Sequence, residues 1–264
     1  MPTFDTPGPV TADINLIAGA VQIHAGDHTE TTVEVRPRDA AKESDVRAAE
    51  QVEVDHAGGR LHVRDSSTSA LGRMFRKGTV DITVELPAGS RVRFTGDYAN
   101  VRCEGLLSAA AITNSTGNIA VDRATGDVEL TTGHGWIRVG EVGGSAEVKT
   151  TTGTITLGTV AGELRAKSAH GDIAVERALA SATVRNSYGS VRLGQVVSGR
   201  VDLENSYGEL EIGVREGTAA WLDVVSTKGV VRSSLEAAEE PAPAEETVQV
   251  RARTVHGDIT VHRS

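Results

Sequence analysis

Along the second half of the chain, aliphatic residues fall on alternate positions around a recurring glycine. The glycines are Gly117, Gly135, Gly153, Gly171, Gly189, Gly208, Gly229 and Gly257. The first four intervals between them are 18 residues, and intervals of 19, 21 and 28 follow. Two places after each glycine stand Ile119, Ile137, Ile155, Ile173, Val191, Leu210, Val231 and Ile259. Four places after come Val121, Val139, Leu157, Val175, Leu193, Ile212, Ser233 and Val261, a column that only Ser233 breaks. Five and seven places before, the columns are again aliphatic, from Ile112 and Ala110 to Ala252 and Val250. Between them lie polar residues such as Glu129, Glu147, Lys149, Lys167, Arg185 and Arg192.

A period of two turns one face of a strand inward and the other to solvent. Each repeat therefore predicts two short strands, about five residues each, joined by turns. A helix would need apolar spacings of three and four, which the columns lack. The glycine marks the turn, where a backbone angle that residues with a Cβ avoid is expected. Three places before it stand Asn114, Thr132, Thr150, Ser168, Asn186, Asn205, Ser226 and Thr254, all small and hydrogen-bonding. They are in phase with the inward positions. They predict ladders that bond the turn backbone, or their own equivalents one coil above and below. A plain turn preference of these residue types accounts for the same column, and neither reading implies chemistry.

Repeats that bury one face each must stack to form a continuous core. Like residues at like positions over eight repeats favour a solenoid over a meander of hairpins. The expected fold is all-β: a single-stranded, parallel β-helix-like solenoid with about 18-residue coils. Eight coils at about 4.8 Å each would stack to about 40 Å. The first third is built differently, with strands predicted over 13–16, 20–24, 31–35, 51–54, 60–63, 80–86 and 91–94, and one short helix within 39–50. Residues 1–95 are thus expected to form a β-rich section capping the solenoid of 96–264, with 236–246 an acidic surface loop containing proline. The last coil ends at Val261 without an evident cap. Bare solenoid ends are sticky edges, so a homo-oligomer through this C-terminal end is expected.

Composition agrees with a narrow aliphatic interior. There are 29 glycines but only three Phe, two Trp and three Tyr. Few aromatics and a net charge of −9 argue against nucleic acid as a partner, which needs cations and stacking rings. Cys103 is the only cysteine, which excludes an intrachain disulfide framework. It reads as a small buried hydrophobe, not a nucleophile. The opening MPTFDTPGPV has neither a basic nor an apolar segment of a secretory signal, and no apolar run reaches membrane-spanning length. A cytoplasmic location is the expectation.

The opening MPTFDTPGPV, the DVRAAEQ and ELPAGS segments, the repeated TG-x-I, GTAAWLDV and the closing VRARTVHGDITVHRS carry a family resemblance over nearly the whole chain. The chain resembles the putative-adhesin β-strand-repeat family (domain-of-unknown-function family 4097, or Toastrack), and is close to its actinobacterial members. The resemblance implies a right-handed or similar β-solenoid, and places some relatives in envelope-stress gene contexts. It brings no catalytic residues.

Parallel β-helices also host polysaccharide lyases and glycoside hydrolases, so a carbohydrate-active enzyme is the alternative reading. Glu129 with Glu147, and Asp202 with Asp223, should each lie one coil apart. Stacked strands about 4.8 Å apart approach the roughly 5–5.5 Å carboxylate separation of retaining glycosidases. Arg165 and Thr183 continue that column, however, and Lys149 and Lys167 flank it, as on a solvated mixed-charge face. The uneven inward offsets exclude a hexapeptide acyltransferase. His134 and His170 should sit two coils apart, roughly 10 Å, too far to share an ion. No metal or cofactor is expected.

Partner binding has better candidates. The turn column places Tyr188 and Tyr207 on adjacent coils with His170 beside them, and Trp136 lies next to the same column. Separately, LGRMFRK at 71–77 joins Arg73, Arg76 and Lys77 to Met74 and Phe75, as a docking or membrane-surface loop would. A plain insertion between strands explains the same segment. The expectation is a non-enzymatic interaction scaffold for an unidentified protein partner.

Overall fold

The computed structural model describes residues 1–65, 78–235 and 246–264. The chain forms two units, Met1–Gly135 and Trp136–Ser264. In both, the alternating pattern produces short parallel strands stacked in register. The fold is the all-β solenoid that the repeat predicts. Among the described residues, no helix is long and apolar enough to cross a membrane.

The first unit runs β1 (Thr3–Asp5), β2 (Thr11–Gly26), β3 (Glu30–Pro37), α1 (Glu43–Glu50), β4 (Val52–Ala57), β5 (Arg60–Asp65), β6 (Val80–Pro87), β7 (Arg91–Leu107), β8 (Ala109–Thr116), β9 (Ile119–Ala124) and β10 (Val128–His134). The strands expected over 13–16 and 20–24 are halves of β2, and the helix occupies the later part of the expected 39–50. Strand β7 runs without a break through position 95 and pairs in parallel with β2, β8 and β9. On its other edge β2 meets β5 and β6, again in parallel. The outermost coil is therefore β5 with β6, although β2 precedes both in the chain. Antiparallel strands cover that coil: β4 lies on β5, β3 on β6, and β1 on β3.

The second unit comprises β11 (Ile137–Val142), β12 (Ala146–Thr152), β13 (Ile155–Val160), β14 (Leu164–Lys167), β15 (Ile173–Ala178), β16 (Ala182–Tyr188), β17 (Val191–Val196), β18 (Gly199–Tyr207), β19 (Leu210–Val214), β20 (Ala219–Lys228), β21 (Val231–Ser233), β22 (Thr247–His256) and β23 (Ile259–Arg263). Two parallel ladders alternate along the chain. One runs β11, β13, β15, β17, β19, and the other β12, β14, β16, β18.

At the end of this unit the order of coils in space departs from their order in sequence. Strands β18 and β19 pair not with β20 and β21 but with β22 and β23. Strands β20 and β21 then pair with the outer edges of β22 and β23. The last coil of the chain is an inner coil. Val261 has Ile212 on one side and Ser233 on the other and is fully buried, which corrects the expectation of a bare end there. The physical reason is the long 28-residue interval: it gives the chain enough length to pass beyond the coil at Gly229 and return beneath it.

The core is a file of Val, Ile, Leu and Ala, in which Phe94 is the single buried aromatic among the described residues. Each inner coil contributes four or five such side chains, as in Val248, Val250, Ala252, Ile259 and Val261. A buried Val, Leu or Ile gains about 1.5–3 kcal/mol against exposure, most of it offset by chain ordering.

The turns stack as tightly as the strands. At Gly257 φ is +142°, and a Cβ would stand 2.1 Å from the carbonyl oxygen of Gly208 on the neighbouring coil. Gly229 does not share that angle, yet a Cβ there would meet the Gly257 oxygen at 2.0 Å. The small polar column bonds the same carbonyls. Asn186 and Asn205 donate from Nδ2 to Gly171 and Gly189 oxygens at 3.0 and 2.9 Å, and Ser226 donates from Oγ to the Gly257 oxygen at 2.8 Å. Ladders between coils are thus real, and run from side chain to turn backbone.

Candidate functional site

In the second unit the residue before each turn glycine lies in register with its equivalents. The column reads Thr152, His170, Tyr188, Tyr207, His256 and Lys228 in spatial order. Its four rings form one stack. Centroids of His170 and Tyr188 lie 5.0 Å apart at 4°, and those of Tyr188 and Tyr207 5.0 Å apart at 4°. Those of Tyr207 and His256 lie 4.4 Å apart at 8°. The strand spacing sets these distances. Aromatic pairs add about 0.5–1.5 kcal/mol beyond the area they bury, so the ladder also holds its turns together.

The backbone beneath is fixed twice over. Carbonyl oxygens of Tyr188, Tyr207 and His256 accept from the N–H of Gly171, Gly189 and Gly208 at 2.8–2.9 Å. Buried Asn186 and Asn205 brace the same turns. Tyr188 and Tyr207 are nevertheless 49% and 44% exposed. Each inner ring has both faces covered by its neighbours, so what remains for solvent is ring edge. The arrangement offers a rigid row of hydroxyls and imidazole edges at strand spacing.

Sequence reasoning joined His170, Tyr188 and Tyr207, and the structure brings these three together. It missed His256, because chain order places Lys228 beside Tyr207 and the intercalated coil puts His256 there instead. Trp136, 39% exposed, does not join the stack; its ring lies under the Arg138 guanidinium, 5.5 Å from the centroid. Arg73, Phe75 and Arg76 lie outside the described residues. Two exposed aromatics escaped notice: Tyr98 in the first unit and Trp221 on β20.

The same intercalation separates one of the two carboxylate pairs that favoured an enzyme. Asp202 and Asp223 do not face each other, because Arg251 stands between them in register. Asp223 Oδ2 lies 2.8 Å from Arg253 and 3.8 Å from Arg251, so its charge is compensated. Glu147 is paired with Lys149, whose hydrogen bond and charge hold the carboxyl below its ordinary range. Cys103 is buried, and burial pushes its thiol up to about 12, which leaves no thiolate at neutral pH. Among the described residues, no three His, Cys, Asp or Glu side chains converge as a metal site would require.

Among solved structures, the chain is similar to a "putative adhesin" of Bacteroides fragilis NCTC 9343, at 10% identity and TM-score 0.46, over 98% of this chain and 95% of that one. It is similar to a "putative cell adhesion protein" of Clostridium sporogenes ATCC 15579, at 10% identity and TM-score 0.24, over 100% and 98%. A third is a "putative lipid binding protein" of Parabacteroides distasonis ATCC 8503, at 9% identity and TM-score 0.40, over 100% and 95%. No curated protein matches the chain. The Toastrack DUF4097 family model matches residues 13–262, nearly the full length, and the chain belongs to that family.

Proposed function

We propose that this protein is a non-enzymatic binding module that presents the edge of the His170–Tyr188–Tyr207–His256 ladder to a protein partner. The observation that carries this reading is the stack itself: parallel, part-exposed rings in contact with one another on hydrogen-bonded turns. Rigid aromatics cost little entropy on binding, and Tyr is enriched where interfaces are tightest. Sugars stack on ring faces, and here the inner faces are already occupied by neighbouring rings. Protein surfaces can use the polar edges instead. The carbohydrate-active alternative loses its Asp202–Asp223 pair to Arg251.

The test compares immobilised wild-type protein with a Tyr188→Ser, Tyr207→Ser double variant in extracts of the native host. Two anchors of about 1–2 kcal/mol each predict a loss of partner affinity of roughly 30- to 1,000-fold. Amide exchange should show the strands of both proteins still protected. Equal capture by the two proteins would overturn the reading.

A further inference from the structure

The outermost coil of the second unit, β20 with β21, has no strand on its outer edge among the described residues. Among the described residues, β20 pairs only with β22, and β21 only with β23. Its side chains belong to columns that are sealed everywhere further in. Val250, Ala252 and Ile259 on the adjacent coil are 0–2% exposed, whereas their partners Leu222 and Val231 are 39% and 44% exposed and Val224 is half-buried. Trp221, Val225 and Val230 add 64%, 44% and 50% exposure beside them. Edge strands are ordinarily blunted by charge, proline or a covering element. Here two of the charges are engaged inward, Asp223 by Arg251 and Arg253, and Arg232 by Asp258 at 2.8 Å, and exposed Lys228 stands only at the end of β20.

We propose that this margin is a homodimer interface, in which β20 of one copy pairs antiparallel with β20 of a second copy about a two-fold axis. Parallel-ladder geometry turns the N–H and C=O of alternate residues to the same neighbour. Ala219 donates to Glu246 on the inner side, so Ala220, Leu222, Val224 and Ser226 direct their backbone groups outward. A copy of the same strand, centred near Val224, satisfies those groups. It also brings Leu222 and Val224 of both copies into one shared interior. A head-to-tail stack is disfavoured, because the coil edge that could receive β20 in the first unit already carries β3 and β4. A closed pair results, not a filament.

Edge pairing covers only the face that carries Leu222 and Val224, so the contact is small, near the roughly 1,000 Å² lower limit for a specific interface. The dimer is accordingly reversible, half-formed at about 10–100 µM. Sedimentation velocity of the full chain from about 1 to 300 µM should show a monomer giving way to a dimer. In Val224→Lys, the two introduced charges meet across the two-fold axis and should weaken the association at least tenfold. A wild-type protein that stays monomeric throughout overturns the proposal. So does a variant that dimerises like wild type, because the contact then lies elsewhere.

A second measurement guards against a misfolded variant. A short bismaleimide should join two copies of Val225→Cys at about 50 µM but not two copies of Lys167→Cys, an outward position on β14. Native Cys103 is buried and does not compete. Equal cross-linking at both positions, or none at Val225→Cys, overturns the interface.

Discussion

At the margin of the first unit, β5 and β6 carry β4 and β3 on their outer edges, and Leu61, Val63, Ile82 and Val84 are 0–1% exposed. At the margin of the second, β20 and β21 carry nothing among the described residues, and Leu222 and Val231 of the same kind of column are 39% and 44% exposed. Topology does not explain the difference, because both margins are woven alike. In each unit a chain end lies one coil in: β2 between β5/β6 and β7, and β22/β23 between β18/β19 and β20/β21. What differs is one added antiparallel layer. Burial in a solenoid is therefore a property of neighbours more than of the strand's own sequence.

The largest test of this contrast removes residues 246–264. That deletion takes out the inner coil with Val248, Val250, Ile259 and Val261, gross burial of about 6–12 kcal/mol. Amide exchange should show 219–233 fully unprotected while 191–196 stays protected. Protection retained over 219–233 would contradict the intercalated order. Trimming 1–8, which removes β1 and the 2.9 Å Thr6–Thr31 hydrogen bond from the covered margin, should cost only about 1–2 kcal/mol.

A smaller effect separates inner from outer turns. Gly257→Ala places a Cβ against the Gly208 oxygen with a coil on either side, and should destabilise by about 3 kcal/mol. Gly229→Ala meets the Gly257 oxygen as closely, but the outer coil can shift outward, so about 1 kcal/mol is expected. Equal urea midpoints for the two variants would mean that the margin is no softer than the interior.

The smallest effect is pH-dependent. Asp258 accepts from the Val230 N–H at 2.9 Å and from Arg232 at 2.8 Å, and these bonds hold its carboxyl below the ordinary range. A depressed carboxylate stabilises the folded state above its unfolded pKa, about 3.9, and that contribution is lost as pH falls through the lower folded value. Amide protection at Val230 and Val231 should therefore decline toward acid before that at Val191. Asp258→Asn should remove the pH dependence at those two amides; a decline that persists in the variant assigns it to another group.

Much of this architecture was legible in the chain. The columns at two and four places after each glycine identified the strands and their inward faces, and the Ser, Thr and Asn column identified the turn ladders. His170, Tyr188 and Tyr207 followed from the same spacing. What periodicity could not specify is which coil lies next to which, since every coil offers the same columns to either neighbour. His256 and the separation of Asp202 from Asp223 both turned on that choice. Signals for it were present. Ser233 breaks an aliphatic column and Lys228 stands where the ladder has rings, as suits an outermost coil. The 28-residue interval supplies the length to return inward.

The woven C-terminal end also orders events in time. Residues 219–233 are made before the strands they dock on, since β22 and β23 follow them in the chain. At about 5–20 residues per second, they wait several seconds as an apolar segment without a partner. Only the arrival of β22 and β23 completes the second unit's stack.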